Sequence, residues 1–226
     1  MSEMKSMTPT VFIVDDDPAV RDSLALLIMS QGLRTVTFPN AIEFLASYRD
    51  GEIGCLVLDI RLPQISGLAL QERLQERRLN IPIVFITGHG DVEQCRRAFH
   101  SGAIDFLTKP IDQARLISSL RQGIRLSIQQ QTQEAETQEV MAKLARISGR
   151  EREVLERVAD GLSSKEIARE LDLSPRTIEV HRANLFSKLD VDSLADLIRF
   201  YLRALEATGK QRPDEAILNE TLPRCN

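Results

Sequence analysis

Four carboxylates, a hydroxyl and an ammonium stand at the ends of apolar runs in the first half of this chain. Asp15, Asp16 and Asp17 close Val11-Phe12-Ile13-Val14, and Asp59 closes Cys55-Leu56-Val57-Leu58. Thr87 follows Ile83-Val84-Phe85-Ile86. Lys109, next to Pro110, follows Ile104-Asp105-Phe106-Leu107. Clustered carboxylates repel one another and call for a cation, and an oxygen-only ligand set favours Mg²⁺ over zinc. A metal ion, a hydroxyl and an ammonium around one carboxylate can stabilise a transferring phosphoryl group by position and charge. Asp59 is then the nucleophile, forming an acyl phosphate.

Taken singly, each residue has a plainer reading. A strand-end Asp is a turn former or helix cap, a Lys-Pro pair is a turn, and a Thr after a strand is a cap. Their recurrence at successive strand ends is what points to a site. Asp17 reads as the cap of a helix beginning at Pro18. His89 and His100 have no ligand spacing.

The elements that hold these residues follow from hydrophobic period. Short buried strands are expected at 10–14, 33–37, 53–58, 81–86 and 104–107. Amphipathic helices are expected at 18–31, 39–49, 64–77 and 91–101, with another starting near 112. Five alternating β/α units make a doubly wound, five-stranded parallel sheet, an α/β fold whose ligands bind at the carboxyl ends of the strands.

A length of 226 residues allows two domains, and 42% hydrophobic with 27% charged residues is an ordinary globular composition. No apolar run approaches the ~20 residues of a membrane span, and the polar start, 1–9, reads as disordered, with no secretory core. Cys55, Cys95 and Cys225 have no paired spacing, so neither a disulfide framework nor a zinc site is indicated and a reducing, cytoplasmic location is expected. The net charge of −4 argues weakly against nucleic-acid binding, although one acidic domain can mask a basic surface on another.

Beyond the α/β segment, 10–125, the stretch 126–147 is polar and rich in Gln and Glu. It reads either as a disordered linker or as the continuation of one long helix. Residues 148–208 form a small all-α domain, and 209–226 reads as a disordered tail. Within that domain Ser148 and Glu151 have capping-box spacing, and a helix starting at Ser163 or Ser164 is followed closely by one starting at Ser174-Pro175. Two short helices joined by a tight turn are a helix-turn-helix pattern, whose second helix enters the major groove of DNA. Between Ser174 and Leu189 the charges are Arg176, Arg182 and Lys188 against Glu179, three minus one, net +2. Arg176, Thr177, Arg182 and Lys188 suit phosphate contacts, while Glu179, Val180, Ala183 and Asn184 suit base edges. His181 reads as domain packing.

Residues 10–125 resemble the flavodoxin-like receiver domain of two-component response regulators. The matching motifs are Val14-Asp15-Asp16-Asp17, Leu58-Asp59-Ile60-Arg61-Leu62-Pro63 with Ser66-Gly67, Ile86-Thr87-Gly88-His89-Gly90-Asp91, Gly102-Ala103-Ile104-Asp105-Phe106 and Lys109-Pro110. The resemblance implies phosphorylation of Asp59 by a sensor histidine kinase. It places Mg²⁺, or another divalent cation, on Asp16, Asp59, the Arg61 backbone carbonyl and, through water, Asp15. Thr87 would bond and Lys109 would pair with the phosphoryl oxygens, and Lys109-Pro110 would be cis. Phe106 falls at an aromatic switch position, though by residue type alone it reads as a core aromatic.

Residues 148 to about 204 resemble the LuxR-type DNA-binding domain, so the whole chain resembles the FixJ/NarL group. This implies a cytoplasmic transcription regulator, more often an activator, that forms a homodimer on phosphorylation and works with double-stranded DNA and RNA polymerase. Its receiver face around 91–101, the 104–107 strand and the following helix would carry the signal. Two other functions compete. A protein-docking module without DNA output would suit the acidic charge. A haloacid-dehalogenase-type phosphatase would share the strand-end Asp, but it needs a second Asp where this chain has Arg61, so a turnover enzyme is not expected.

Overall fold

The computed structural model describes residues 8–88 and 102–209, in two units divided between Thr132 and Gln133. The expected helix at 91–101, His89, His100, Cys95, Cys225, the first seven residues and the tail from 210 lie outside the described residues.

The first unit is a parallel sheet of β1 (Thr10–Val14), β2 (Arg34–Phe38), β3 (Gly54–Asp59), β4 (Ile83–Thr87) and β5 (Asp105–Thr108), in the order β2-β1-β3-β4-β5. Strands β1, β3 and β4 are buried along their whole length, as continuous apolar runs must be when both faces of a sheet are covered. Alternate residues serve opposite faces. Phe12, Val14, Leu56, Leu58 and Phe85 pack with Phe44, Leu70 and Leu74, which lie on α2 (Ala41–Ser47) and α3 (Gly67–Glu76). Val11, Ile13, Val57, Val84 and Ile86 pack with Leu24 and Ile28 of α1 (Pro18–Ser30) and with Leu116 and Leu120 of α4 (Gln113–Leu144). The expected α/β class is therefore found. Element edges move by one to three residues, most at α3, which starts at Gly67 and not at 64, after its Ser66 cap. Leu33 stays in the turn after α1, its N–H on the Ile28 carbonyl, and Pro82 precedes β4, where its carbonyl accepts the Leu56 N–H at 2.8 Å.

The stretch 126–144 is helical, as the last part of α4. Its Gln, Glu and Ala favour helix, and no Gly or Pro interrupts it. In the first unit this helix is anchored by a buried contact: Ser127 Oγ accepts the Gly54 N–H at 3.0 Å.

The second unit contains α5 (Gly149–Ala159), α6 (Ser164–Glu170), α7 (Pro175–Leu189) and α8 (Leu194–Thr208). Each is started by a serine cap, at Ser148, Ser163, Ser174 and Ser193, whose side chain accepts a first-turn N–H. Gly161, at φ 86°, makes the left-handed turn after α5. Val154, Leu155, Ile167, Ile178, Leu185, Leu189 and Leu197 form the core, joined by Val140, Leu144 and Ile147. Among the described residues no helix is long and apolar enough to cross a membrane.

Candidate functional site

Strands β1 and β3 are neighbours, yet the chain leaves β1 for the β2 edge and β3 for the β4 edge. Such a reversal opens a crevice at the carboxyl ends of the strands. Asp15 and Asp16 follow β1 there, Asp59 ends β3, Thr87 ends β4, and Lys109 follows β5.

The geometry converges on Lys109. Its Nζ donates to Asp15 Oδ2 at 2.9 Å and to Asp59 Oδ2 at 2.7 Å. The other oxygens of those carboxylates accept backbone donors two residues on: Asp15 Oδ1 takes the Asp17 N–H and Asp59 Oδ1 takes the Arg61 N–H, both at 2.9 Å. Both acids are buried, whereas Asp16 is exposed. Oxygens of Asp15, Asp16 and Asp59 lie within 4.8 Å of one another. Three carboxylates so close, two of them out of water, are a hard oxygen donor set of the kind that suits Mg²⁺.

Burial pushes the Asp15 carboxyl above its usual range, against the opposing pull of its Lys109 hydrogen bond. Burial alone would lower the Lys109 ammonium, but its hydrogen bonds to Asp59 and Asp15 outweigh that and hold it above its ordinary value. Lys109 therefore stays charged, a fixed cation at the site.

Thr87 is 1% exposed and its Oγ1 has no hydrogen-bond partner among the described residues. Its carbonyl accepts the Lys109 N–H at 2.7 Å, just before the cis Lys109-Pro110 bond. A buried hydroxyl without a partner is costly in a structural role and is more readily understood as a donor for a ligand atom. Phe106 is buried beside Phe85, ring centroids 6.4 Å apart. Asp17 caps α1, its carboxylate accepting the Ala19 N–H at 2.9 Å.

Two supporting residues have no assigned role in the sequence reading. Gly67 opens α3 directly against the end of β3: its N–H meets the Ile60 carbonyl at 2.9 Å, and a Cβ there would lie 2.3 Å from the Asp59 carbonyl oxygen. A glycine immediately after a capping serine was the available signal. Arg21 donates to the Asp15 carbonyl at 2.7 Å, one turn into α1, and nothing in the local sequence announces that reach.

In the second unit α7 buries Ile178, Leu185 and Leu189 and exposes Arg176, Glu179, Val180, Ala183 and Asn184. Val180 is 54% exposed, an apolar residue in the middle of a polar face. Thr177 is half-buried, with its hydroxyl 2.8 Å from Ser174 Oγ, and Arg182 is half-buried. Lys188 is placed differently from the phosphate-contact set read from the sequence. Its Nζ donates to both carboxylate oxygens of Glu151, at 2.8 and 2.7 Å.

The two units match two family models. Residues 11–121 match the response regulator receiver domain, and residues 145–201 match the bacterial regulatory proteins of the luxR family. The transcriptional regulatory protein FixJ of Bradyrhizobium diazoefficiens is 42% identical over 194 residues, 86% of this chain and 95% of that protein. The response regulator protein TmoT of Ectopseudomonas mendocina is 41% identical, over 87% of this chain and 89% of its own length. Among solved structures, a low-resolution structure of the response regulator StyR has a TM-score of 0.82 and 41% identity, covering 87% of this chain and 99% of that one.

Proposed function

Because the chain belongs to the two-component response regulators that join a receiver domain to a LuxR-type DNA-binding domain, we propose that Asp59 takes a phosphoryl group from a sensor histidine kinase and that this switches how strongly α7 engages DNA. The family regulates transcription and is not a class of turnover enzyme. The observation that carries the proposal is the buried Asp59 carboxylate, held by Lys109 at 2.7 Å, with the unpartnered Thr87 hydroxyl at the end of the next strand.

An Asp59 carboxylate oxygen bonds to phosphorus as the bond from phosphorus to the donor's histidine nitrogen breaks, leaving an acyl phosphate and a neutral histidine once that nitrogen is protonated. Lys109, already charged, pairs with a phosphoryl oxygen, and Thr87 Oγ1 donates to another. Asp15, Asp16, Asp59 and the Arg61 carbonyl would hold a divalent cation such as Mg²⁺, which supplies positive charge against the clustered carboxylates and the incoming phosphoryl oxygens. Arg61, at the position where a phosphatase would carry its acid/base Asp, offers no such group, so the phosphate persists as a signal.

The response is a population shift, driven by whatever conformational preference the phosphorylated pocket has. Thr87 and Phe106 are its moving parts, and receiver pairing brings two DNA-binding domains to adjacent half-sites. On DNA, Arg176, Thr177 and Arg182 would meet phosphates, while Glu179, Val180, Ala183 and Asn184 would face base edges. RNA polymerase is the downstream partner.

Asp59→Asn tests the scheme. Acetyl phosphate with Mg²⁺ should strengthen DNA binding of the native protein and leave the variant unchanged. Equal stimulation of both would remove Asp59 from the mechanism.

A further inference from the structure

Among its described residues the second unit contains two capping boxes with the same local chemistry and different surroundings. In each, a serine hydroxyl accepts the N–H of a glutamate three residues on, and that carboxylate accepts the serine N–H. Glu166, of the Ser163 box, is exposed to water. Glu151, of the Ser148 box, is 3% exposed. A carboxylate facing solvent needs no cation to do its capping work, whereas a buried one is costly unless it is paired. Glu151 has that partner: Lys188, 37 residues later in the last turn of α7, gives it two charge-assisted hydrogen bonds.

We propose that Glu151 and Lys188 form a lock that fixes the register of the DNA-reading helix, so that Lys188 is a positioning residue and not a phosphate contact. Ile178, Leu185 and Leu189 hold α7 to the core through apolar contacts alone, and such contacts are non-directional. The lock adds direction. One end is fixed by the Ser148 N–H, which donates to Glu151 Oε2 at 2.7 Å, so the carboxylate cannot follow α7 if the helix slides or turns. The other end is Lys188, next to the buried Leu189 and followed by Asp190, whose left-handed backbone (φ 57°) ends the helix. The reading residues Val180, Ala183 and Asn184 lie one to two turns before that fixed point. Their aim at base edges depends on it, since the hydrogen bonds Asn184 could make to a base weaken steeply away from ideal distance and angle. With Lys188 committed to Glu151, the outward charge of α7 is Arg176 and Arg182 against Glu179.

This inference rests on the proposal that α7 reads DNA, and one set of measurements separates the two. Lys188→Met, Glu151→Gln and the double variant are made in the full-length protein. Affinity is measured against a duplex selected by the native protein from a random pool, and against a scrambled duplex, over a range of salt. Circular dichroism corrects each value for the folded fraction. Both single variants should lower the ratio of specific to scrambled binding by about tenfold, the size of coupling between residues in contact, and the double variant should lose no more than either single. The slope of log affinity against log salt should stay unchanged in all three, and Lys188→Arg should recover part of the ratio. A slope reduced by about 0.9 per domain in Lys188→Met, the signature of one lost phosphate contact, with Glu151→Gln unaffected, would overturn the lock and leave the DNA-reading function standing. Salt-insensitive, sequence-indifferent binding by the native protein would overturn that function and the lock with it.

Discussion

Thr87 and Gly67 show how little material separates a structural role from a functional one. The Thr87 hydroxyl is buried and has no hydrogen-bond partner among the described residues, so its removal should cost the fold little. Thr87→Val keeps the shape and should leave the unfolding free energy, read from urea denaturation, within about 1 kcal/mol of native or slightly above it. Phosphodonor-stimulated DNA binding should be largely lost. A native-like response in this variant would show that the hydroxyl does not meet the phosphoryl group. Gly67 makes the opposite prediction. A Cβ there would meet the Asp59 carbonyl oxygen at 2.3 Å, closer than atoms can approach, so Gly67→Ala should destabilise the receiver by about 1–3 kcal/mol. It should also slow the proposed phosphorylation of Asp59 by acetyl phosphate, because the backbone that must yield is that of Asp59 itself.

At the scale of elements, α4 is the part that local chemistry left ambiguous. Its polar middle allows helix or disorder, and neither hydrophobic period nor capping decides between them. The helix is supported at both ends by burial in separate cores: Leu116, Leu120 and Ile124 in the first unit, Val140 and Leu144 in the second. Within the first unit the Ser127 hydroxyl accepts the buried N–H of Gly54 at 3.0 Å. Ser127→Ala should therefore cost about 1–3 kcal/mol of receiver stability, the penalty for stranding a buried backbone donor, seen as a lower urea midpoint. Replacement by Thr keeps the hydroxyl and should restore much of it. No destabilisation in Ser127→Ala would mean that another acceptor reaches Gly54.

At the scale of the whole molecule, an overall charge of −4 conceals local pairings such as that of Lys188 with the buried Glu151. Lys188 holds the Glu151 carboxyl below its ordinary value of 4.5, with the Ser148 hydrogen bonds adding to the effect. A carboxylate whose folded pKa is depressed contributes stability that is fully present above the unfolded value. That stability fades as pH falls through the folded one. The helical domain should therefore lose stability below about pH 4.5, and Glu151→Gln should flatten that acid limb while lowering stability at neutral pH. A thermal melt series from pH 3 to 7, followed by helical ellipticity, checks both; an acid limb unchanged by the substitution would remove Glu151 as its source.

Much of this protein is local information, and the sequence carries it. Buried strands need unbroken β-branched and aliphatic runs, so the five strands and their α/β order are legible within a residue or two. Serine caps mark where α5, α6 and α7 begin for the same local reason. Asp15, Asp16, Asp59, Thr87 and Lys109 could be singled out because each ends such a run. Tertiary structure alone decided what those residues touch. Lys109 reaches Asp15 across 94 positions and Asp59 across 50, and Lys188 turns from the helix surface to a buried Glu151 across 37. Burial creates these pairings: a charge is indifferent to its partner in water and depends on it once water is excluded. Exclusion of water is a property of the packed chain and has no signature in any short stretch of residues.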